Sequence, residues 1–572
     1  MIERKSLSQT LIDIKLAAKW AMRIYRGKDT NNDLNQSSIP STIMSILKQN
    51  DVPIAYLSDK ILDQADHNKY ILWKDEFKKV KDIFINNGIE YIFIKTPSFF
   101  PYTSGNLDIL VREEDFGKAG KLLKDNGFVE LKNAREPHKR LYKKFDCGEE
   151  VIPIHLHERV FWGATFLDNE LIWKERPGRL YDEVVYTLAP EDCLLTTLAH
   201  SFYENAGVRL SDLSIVKHLI ESKKIDWNRL NDIPRRYQWT DGFYSSLLIY
   251  EYLHERIFEN DLFPSGIMQE AKNFITRNSF LKRNLPKVLR TRVSMPFYIP
   301  VKLSKMLHYK KILRSNEFGE GKILKALTLS KGVIDGICRN YLGIEFQRQK
   351  PILVAFSGLD GSGKTSYATA LNRAFENCGL KTEYMWARVG STRISKLASS
   401  VYKKVFRKYE FGSKSKCSVS PYNDFIRREN IFRKKWVSTL WHIMNILDFC
   451  IFYNFKVRKT LFRGKVVICD RYIPDILADM YVHTPNKKSD LTLKILSVLL
   501  PKPDIGILLK AHPEIAHKRA KEKDNIEYLY RQNNLYGQVS EELQLKKINA
   551  EGEFRDTCNM LVKEILENYY NR

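Results

Sequence analysis

Ile352-Leu353-Val354-Ala355-Phe356-Ser357 runs directly into Gly358-Leu359-Asp360-Gly361-Ser362-Gly363-Lys364-Thr365-Ser366, and this stretch decides how the C-terminal part of the 572-residue chain is read. The first six residues have the length and apolar character of a buried strand. The next eight satisfy Gly-x-x-x-x-Gly-Lys-Ser/Thr at every fixed position, and a helical pattern begins near Lys364. Strand, glycine loop and helix in that order make a phosphate cradle. The glycines let backbone N–H groups turn inward, where a Cβ would obstruct an oxygen. The helix adds the positive end of its dipole. Lys364 can reach β- and γ-phosphates, and the Thr365 hydroxyl can ligate Mg²⁺. The expected nucleotide-binding residues are Gly358, Asp360, Gly361, Ser362, Gly363, Lys364, Thr365 and Ser366.

Beyond this loop the pattern alternates strand and helix: KTEYMW (381–386), a helical region, KVVICD (465–470) and DIGILL (504–509). That rhythm predicts a parallel sheet covered by helices. KVVICD delivers Asp470 and Arg471 at its C-terminal end, the edge where open parallel sheets bind ligands. Asp470 is expected to hold Mg²⁺, and Arg471 to bind a transferring or accepting phosphate. A phosphate-binding loop is shared by kinases, ATPases and GTPases, so it does not choose among them.

GLDGSGKTS (358–366), VICDRY (467–472), PDIGILL (503–509) and PEIA (513–516) with Arg519 together resemble thymidylate kinase over about 350–572. The resemblance implies a doubly wound parallel-sheet P-loop kinase domain that uses ATP and Mg²⁺. Lys364, Asp470, Arg471 and Arg388 would then be catalytic, with Thr365 and Asp470 on the metal. Arg519, with Lys521, Lys523 and Arg531, would be candidates to steady charge on the moving phosphoryl group. The acceptor half departs from the family. Trp386-Ala387-Arg388-Val389-Gly390 keeps one arginine and one glycine, Phe449 stands where an arginine is usual, and Asp475 replaces a serine, with Asp479 one turn later. Asp360, Arg388, Asp475 and Asp479 are the expected substrate-side residues. The implied reaction is phosphorylation of a nucleoside monophosphate, dTMP by default. The alternatives are a kinase for a sugar or glycan precursor and an ATP-switched binding protein.

The N-terminal half begins with helical periodicity over residues 1–80, broken by polar residues 29–32. Strand-like runs follow at YIFI (91–94), LDILV (107–111) and VIPIHLH (151–157), with a helix over 114–126. Pro190-Glu191-Asp192 marks a helix start. Ile94-Lys95-Thr96-Pro97, Asn106-Leu107-Asp108 and Ile152 to His157, with Ala189-Pro190-Glu191-Asp192, resemble nucleotidyltransferase-like proteins over about 80–220. The expected fold there is α+β with helical additions. Nucleotidyl transfer asks for carboxylates at i and i+2 and a third on a neighbouring strand. Asn106 stands in the first place and Pro153 in the expected third, so a non-catalytic or substrate-presenting module is expected. His155 and His157 share a strand face and read as a core or groove pair, with metal ligation as the alternative, because no acid lies beside them at the usual spacing.

Composition sets the wider frame. Lys and Arg total 93 against 68 Asp and Glu, a net charge of +25, which calls for an anionic partner. Residues 277–316 hold eleven Lys and Arg, no Asp or Glu, and three prolines. They are expected to begin a basic connection (277–349) between a first domain (1–276) and the kinase-like domain (350–572). It reads either as a solvated linker or as a surface for acidic membrane or nucleic acid over 277–314. The eight cysteines are scattered without a Cys-x-x-Cys pair, which fits a reducing cytoplasm and neither a zinc framework nor disulfides. The apolar run 441–455 contains Asp448 and is too short to span a bilayer. The chain is therefore expected to be cytoplasmic, peripheral to the membrane if its basic segment engages lipid. Its expected partners are ATP, a small phosphate acceptor and a second copy of itself.

Overall fold

The computed structural model describes residues 7–25, 41–50, 52, 64–94, 106–131, 138–162, 164–174, 179–180, 183–184, 186–222, 224–314, 350–386, 435–482, 490–520 and 525–571. The chain divides into two compact units, the first of residues 1–144 and 151–344, the second of residues 145–150 and 345–572.

In the first unit, β1 (Tyr91–Phe93), β2 (Leu107–Val111), β3 (Val129–Leu131), β4 (Lys139–Asp146) and β5 (Glu149–His157) form a mixed sheet in the order β1-β2-β5-β4-β3. β2 and β5 run parallel with Leu107 opposite Ile154 and Asp108 opposite His155. Alternation assigns the two faces. Leu107, Ile109, Val111, Ile152, Ile154 and Leu156 pack in one core with Phe77, Val80 and Phe84 of α1 (Gln64–Asn86) and Phe116, Ala119 and Leu123 of α2 (Phe116–Asp125). Asp108, Leu110, Pro153, His155 and His157 occupy the opposite face. Leu110 joins the larger core, which runs through α3 (Pro190–Ala199) and the helices Leu210–Ser222, Thr240–Phe258 and Ser265–Arg277. The acids at the start of α3 are spent on local order: Asp192 pairs with Arg229 at 2.9 Å, and Glu191 accepts from the Asp226 N–H at 2.8 Å.

Residues 279–314, read above as part of a connection, are folded into this unit. They form helices Ser279–Val288 and Val301–Arg314 and a short strand, Phe297–Tyr298, paired with Gly207–Val208. Leu281, Leu285, Val288, Phe297, Leu303 and Leu307 lie in its main core. Their i, i+4, i+7 phase buries one face and leaves most of the Lys and Arg on the other, so the high charge coexists with a packed helix. The remaining part of that expected connection, 315–349, lies outside the described residues.

In the second unit, β6 (Leu353–Gly358), β7 (Thr382–Trp386), β8 (Val466–Asp470), β9 (Ile505–Lys510) and β10 (Lys546–Asn549) are all parallel, in the order β7-β8-β6-β9-β10. β6 and β8 are buried along their whole length, as central strands covered on both faces should be. The chain leaves β6 toward β7 on one side and β9 toward β10 on the other. The crevice at the carboxyl ends of these two neighbours is where such sheets take ligands. The helices of this unit include α4 (Lys364–Asn377), α5 (Lys435–Phe452), α6 (Ile473–Tyr481), α7 (Pro513–Arg519), α8 (Ile526–Glu542) and α9 (Phe554–Asn571), with Arg458–Phe462 and Asp490–Leu499 beside them. Phe449 of α5 is fully buried in its core, with its ring 6.0 Å from that of Tyr453. Among the described residues, no helix is long and apolar enough to cross a membrane.

Candidate functional site

β6 carries the glycine loop to the carboxyl edge of the sheet, and α4 starts at the far side of that loop. Gly361 has φ +89°, and a Cβ there would lie 2.1 Å from Ala516 O in α7. At Gly358, φ +148°, a Cβ would lie 2.6 Å from Leu509 O in β9. Neither position admits a side chain, so the loop backbone is drawn tight against the neighbouring strand and helix. A pocket of about 350 Å³ opens over it, lined by Asp360, Gly361, Gly363 and residues 364–366 with Arg471 and Arg519. Pockets of this size accommodate small ligands.

Lys364 is buried, and its ammonium donates to Gly358 O at 2.6 Å and Leu359 O at 2.8 Å, with Asp360 Oδ1 at 3.3 Å. Burial pulls its pKa below the ordinary lysine value, against the opposing pull of Asp475, Asp360 and Asp470. Arg471 follows β8 with φ +90°, a conformation rare for a side chain other than glycine and often retained at functional sites. Its guanidinium bonds Asp360 and lies 3.8 Å from Asp475. Burial opposes its charge, but those two carboxylates raise its pKa above the usual arginine value.

Asp470 ends β8, opposite Phe356 of β6 and Trp386 of β7. Its Oδ2 accepts from the Thr365 hydroxyl at 2.7 Å and the Tyr384 hydroxyl at 2.8 Å. Its Oδ1 is buried without a hydrogen-bond partner, as are Ser362 Oγ and Arg471 Nε. Buried polar atoms are nearly always satisfied. One orphaned acceptor and two groups able to donate are thus grouped around the glycine loop, with chemistry suited to a cation and an anion. A carboxylate and a threonine hydroxyl are the hard oxygen donors Mg²⁺ prefers, so the residues present fit that ion.

Arg519 lines the pocket and is aimed by its bonds to Ala550 O at 2.6 Å and Glu551 O at 3.1 Å. Arg531 pairs with Glu527 on α8 and is not among the residues lining the pocket. Arg388, Lys521 and Lys523 lie outside the described residues.

Asp475 is not open to an acceptor. It is buried at the start of α6, where Oδ2 accepts the Tyr472 N–H at 3.1 Å and Oδ1 accepts the Tyr536 hydroxyl at 2.9 Å. Asp479 is half-buried one turn later and accepts from Tyr528 at 3.4 Å and Gln532 at 3.3 Å. Both aspartates therefore turn toward one face of α8. The sequence reading missed Tyr384 and Tyr536, which hold Asp470 and Asp475. Period-two alternation in KTEYMW puts Tyr384 and Trp386 on one face, which was the available hint for the first.

In the first unit, Asn106 takes the place of an acid and donates to Asp108 Oδ2 at 2.8 Å. The expectation that His155 and His157 have no neighbouring acid is corrected: the parallel register sets Asp108 beside both, at 3.3 and 2.9 Å. Lys95 and Thr96 lie outside the described residues.

No curated protein matches the chain. Residues 55–254, which contain β1 to β5 and α3, match a protein family described as an uncharacterised nucleotidyltransferase. The nucleotidyltransferase-like resemblance read over about 80–220 is thereby supported, and the matched family suggests a transferase.

Proposed function

We propose that the second unit is an ATP-dependent phosphotransferase of the thymidylate kinase-like P-loop type. The observation that carries the reading is the meeting of Thr365 and Asp470 beside the glycine loop, with Asp470 Oδ1 left unsatisfied. Thr365 and Asp470 would hold Mg²⁺, which when bound neutralises phosphate charge. The ammonium of Lys364 leaves Gly358 O and Leu359 O for the phosphate chain, and the α4 N-terminus faces the same anion. Arg471 and Arg519 flank the pocket from two elements and stabilise the negative charge of the transferring group. Arg388 belongs to the acceptor side in this reading.

The acceptor is a nucleoside monophosphate, with dTMP as the default. Carboxylates open to the acceptor side would suit a sugar's hydroxyls, but Asp475 is buried with both oxygens already bonded, so it is not available for that. In the first unit, Asn106 and Pro153 occupy places where a two-ion transfer site needs acids, so this unit presents substrate rather than transferring nucleotides by that route.

The test is an acceptor screen of the full-length protein with Mg²⁺ and ATP, reading phosphorylated product for dTMP, other nucleoside monophosphates and sugars. Stoichiometric transfer to dTMP supports the reading. Transfer to a sugar alone moves the acceptor class, and slow hydrolysis with no product identifies an ATP-switched binding protein instead.

A further inference from the structure

Asp108, His155 and His157 come from two adjacent parallel strands and share the sheet face opposite α1 and α2. One ligand atom from each lies within 4.8 Å of the other two. Asp108 Oδ1 is 2.9 Å from His157 Nε2 and 3.3 Å from His155 Nδ1. A tetrahedral ion with bonds of ~2.0–2.1 Å holds its ligands about 3.3 Å apart, so the strands already stand at the required separation.

The hydrogen-bond pattern points the same way. Asn106 Nδ2 is 2.8 Å from Asp108 Oδ2 and 2.7 Å from His155 Nδ1. A carboxylate only accepts, so the amide nitrogen faces it, and His155 Nδ1 accepts the second amide hydrogen. His155 Nδ1 lies 3.3 Å from Asp108 Oδ1, and a bound ion would take the place of the Asn106 hydrogen on its one lone pair.

We propose that Asp108, His155 and His157 form a site for a single divalent transition-metal ion of the zinc type. Neutral imidazoles suit such an ion and are poor ligands for Mg²⁺. The site belongs to the first unit and does not depend on the phosphotransfer reading of the second. Asn106 orients Asp108 as a supporting group. The side chains of Asp108 and His157 are 6% and 2% exposed and that of His155 is 25% exposed. The open coordination position therefore lies on the His155 side, where it takes water or an anionic oxygen such as that of phosphate.

The test uses full-length protein stripped of metal with a chelator. Zn²⁺ and Co²⁺ are titrated by calorimetry and absorbance in excess Mg²⁺ without nucleotide. The expected result is one equivalent per chain and a visible Co²⁺ spectrum lacking a near-ultraviolet thiolate band. His155→Gln and His157→Gln each weaken binding about tenfold or more. His157 is buried and its variant can misfold, so His155→Gln, with folding checked by circular dichroism, is decisive. Absence of stoichiometric binding, a thiolate band, or unchanged affinity in folded His155→Gln overturns the proposal.

Discussion

The Thr365 hydroxyl donates to Asp470 Oδ2 across 2.7 Å, tying the first turn of α4 to the end of β8. The other carboxylate oxygen is buried and unpaired, which is where Mg²⁺ binding would satisfy it. Asp470→Asn keeps the shape and removes the charge. We expect kcat/KM for ATP to fall about 100-fold or more and the Mg²⁺ concentration for half-maximal rate to rise. A Mg²⁺ titration of turnover checks both, and an unchanged Mg²⁺ dependence would place the ion elsewhere.

Lys364→Ala should abolish phosphoryl transfer. A lysine in a glycine-rich loop reads in sequence as an exposed ammonium, whose loss would cost little stability. The structure corrects this, because Lys364 is buried and bonded to two loop carbonyls. Losing those bonds should lower the stability of this unit by about 1–2 kcal/mol. Thermal melts without nucleotide measure the change. Retained turnover would separate the glycine loop from the reaction.

Asp475 stands where the thymidylate kinase resemblance calls for a serine, so restoring it in Asp475→Ser would be expected to help a monophosphate acceptor. With Asp475 bonded to the Tyr472 N–H and the Tyr536 hydroxyl and 3.8 Å from Arg471, the expected outcome reverses. Removing one partner of a buried charged pair costs about 3–5 kcal/mol. The variant should melt earlier and gain no kcat/KM for dTMP. Asp475→Asn, which keeps one acceptor, should lie between it and the wild type.

The legible parts of the fold were those whose signal is local. The glycine loop with its preceding strand, and the runs 91–94, 107–111 and 151–157, were read directly from composition and period. β3, β4 and β10 were missed: β10 is Lys-Lys-Ile-Asn, and lysines at positions 139, 143 and 144 interrupt the apolar alternation of β4. In 279–314 the buried helical phase is masked by dense Lys and Arg and by three prolines, so its packing is not legible from charge alone. At the candidate sites the residue types were legible and their pairing was not. Asp108 meets His155 through a parallel register across 47 positions of chain, and Tyr536 reaches Asp475 from a different helix. No local pattern reports such contacts.

Acid sensitivity should come from the first unit. His254 Nδ1 donates to Asn260 O at 2.8 Å, leaving Nε2 to accept from the buried Lys217 ammonium at 2.9 Å. Lys217 is held in turn by Glu221 at 2.7 Å. Burial, helped by that neighbouring cation, pushes the His254 pKa down to about 4. His308, whose Nε2 donates to Trp162 O at 2.7 Å, is pushed down to about 4 by burial with Lys305 and Lys311 nearby. The unfolded chain titrates its histidines near 6.5. Between these values the unfolded state binds more protons than the folded state, so stability rises with pH there and is lost as pH falls from about 6.5 to 4. Each histidine should contribute about 2 kcal/mol once solvent screening is allowed for. His254→Gln can accept from Lys217 and donate to Asn260 O but cannot be protonated. Melting temperature followed from pH 7 down to about 4 should therefore fall less steeply for His254→Gln than for wild type. Parallel curves would mean that His254 is already charged in the folded protein.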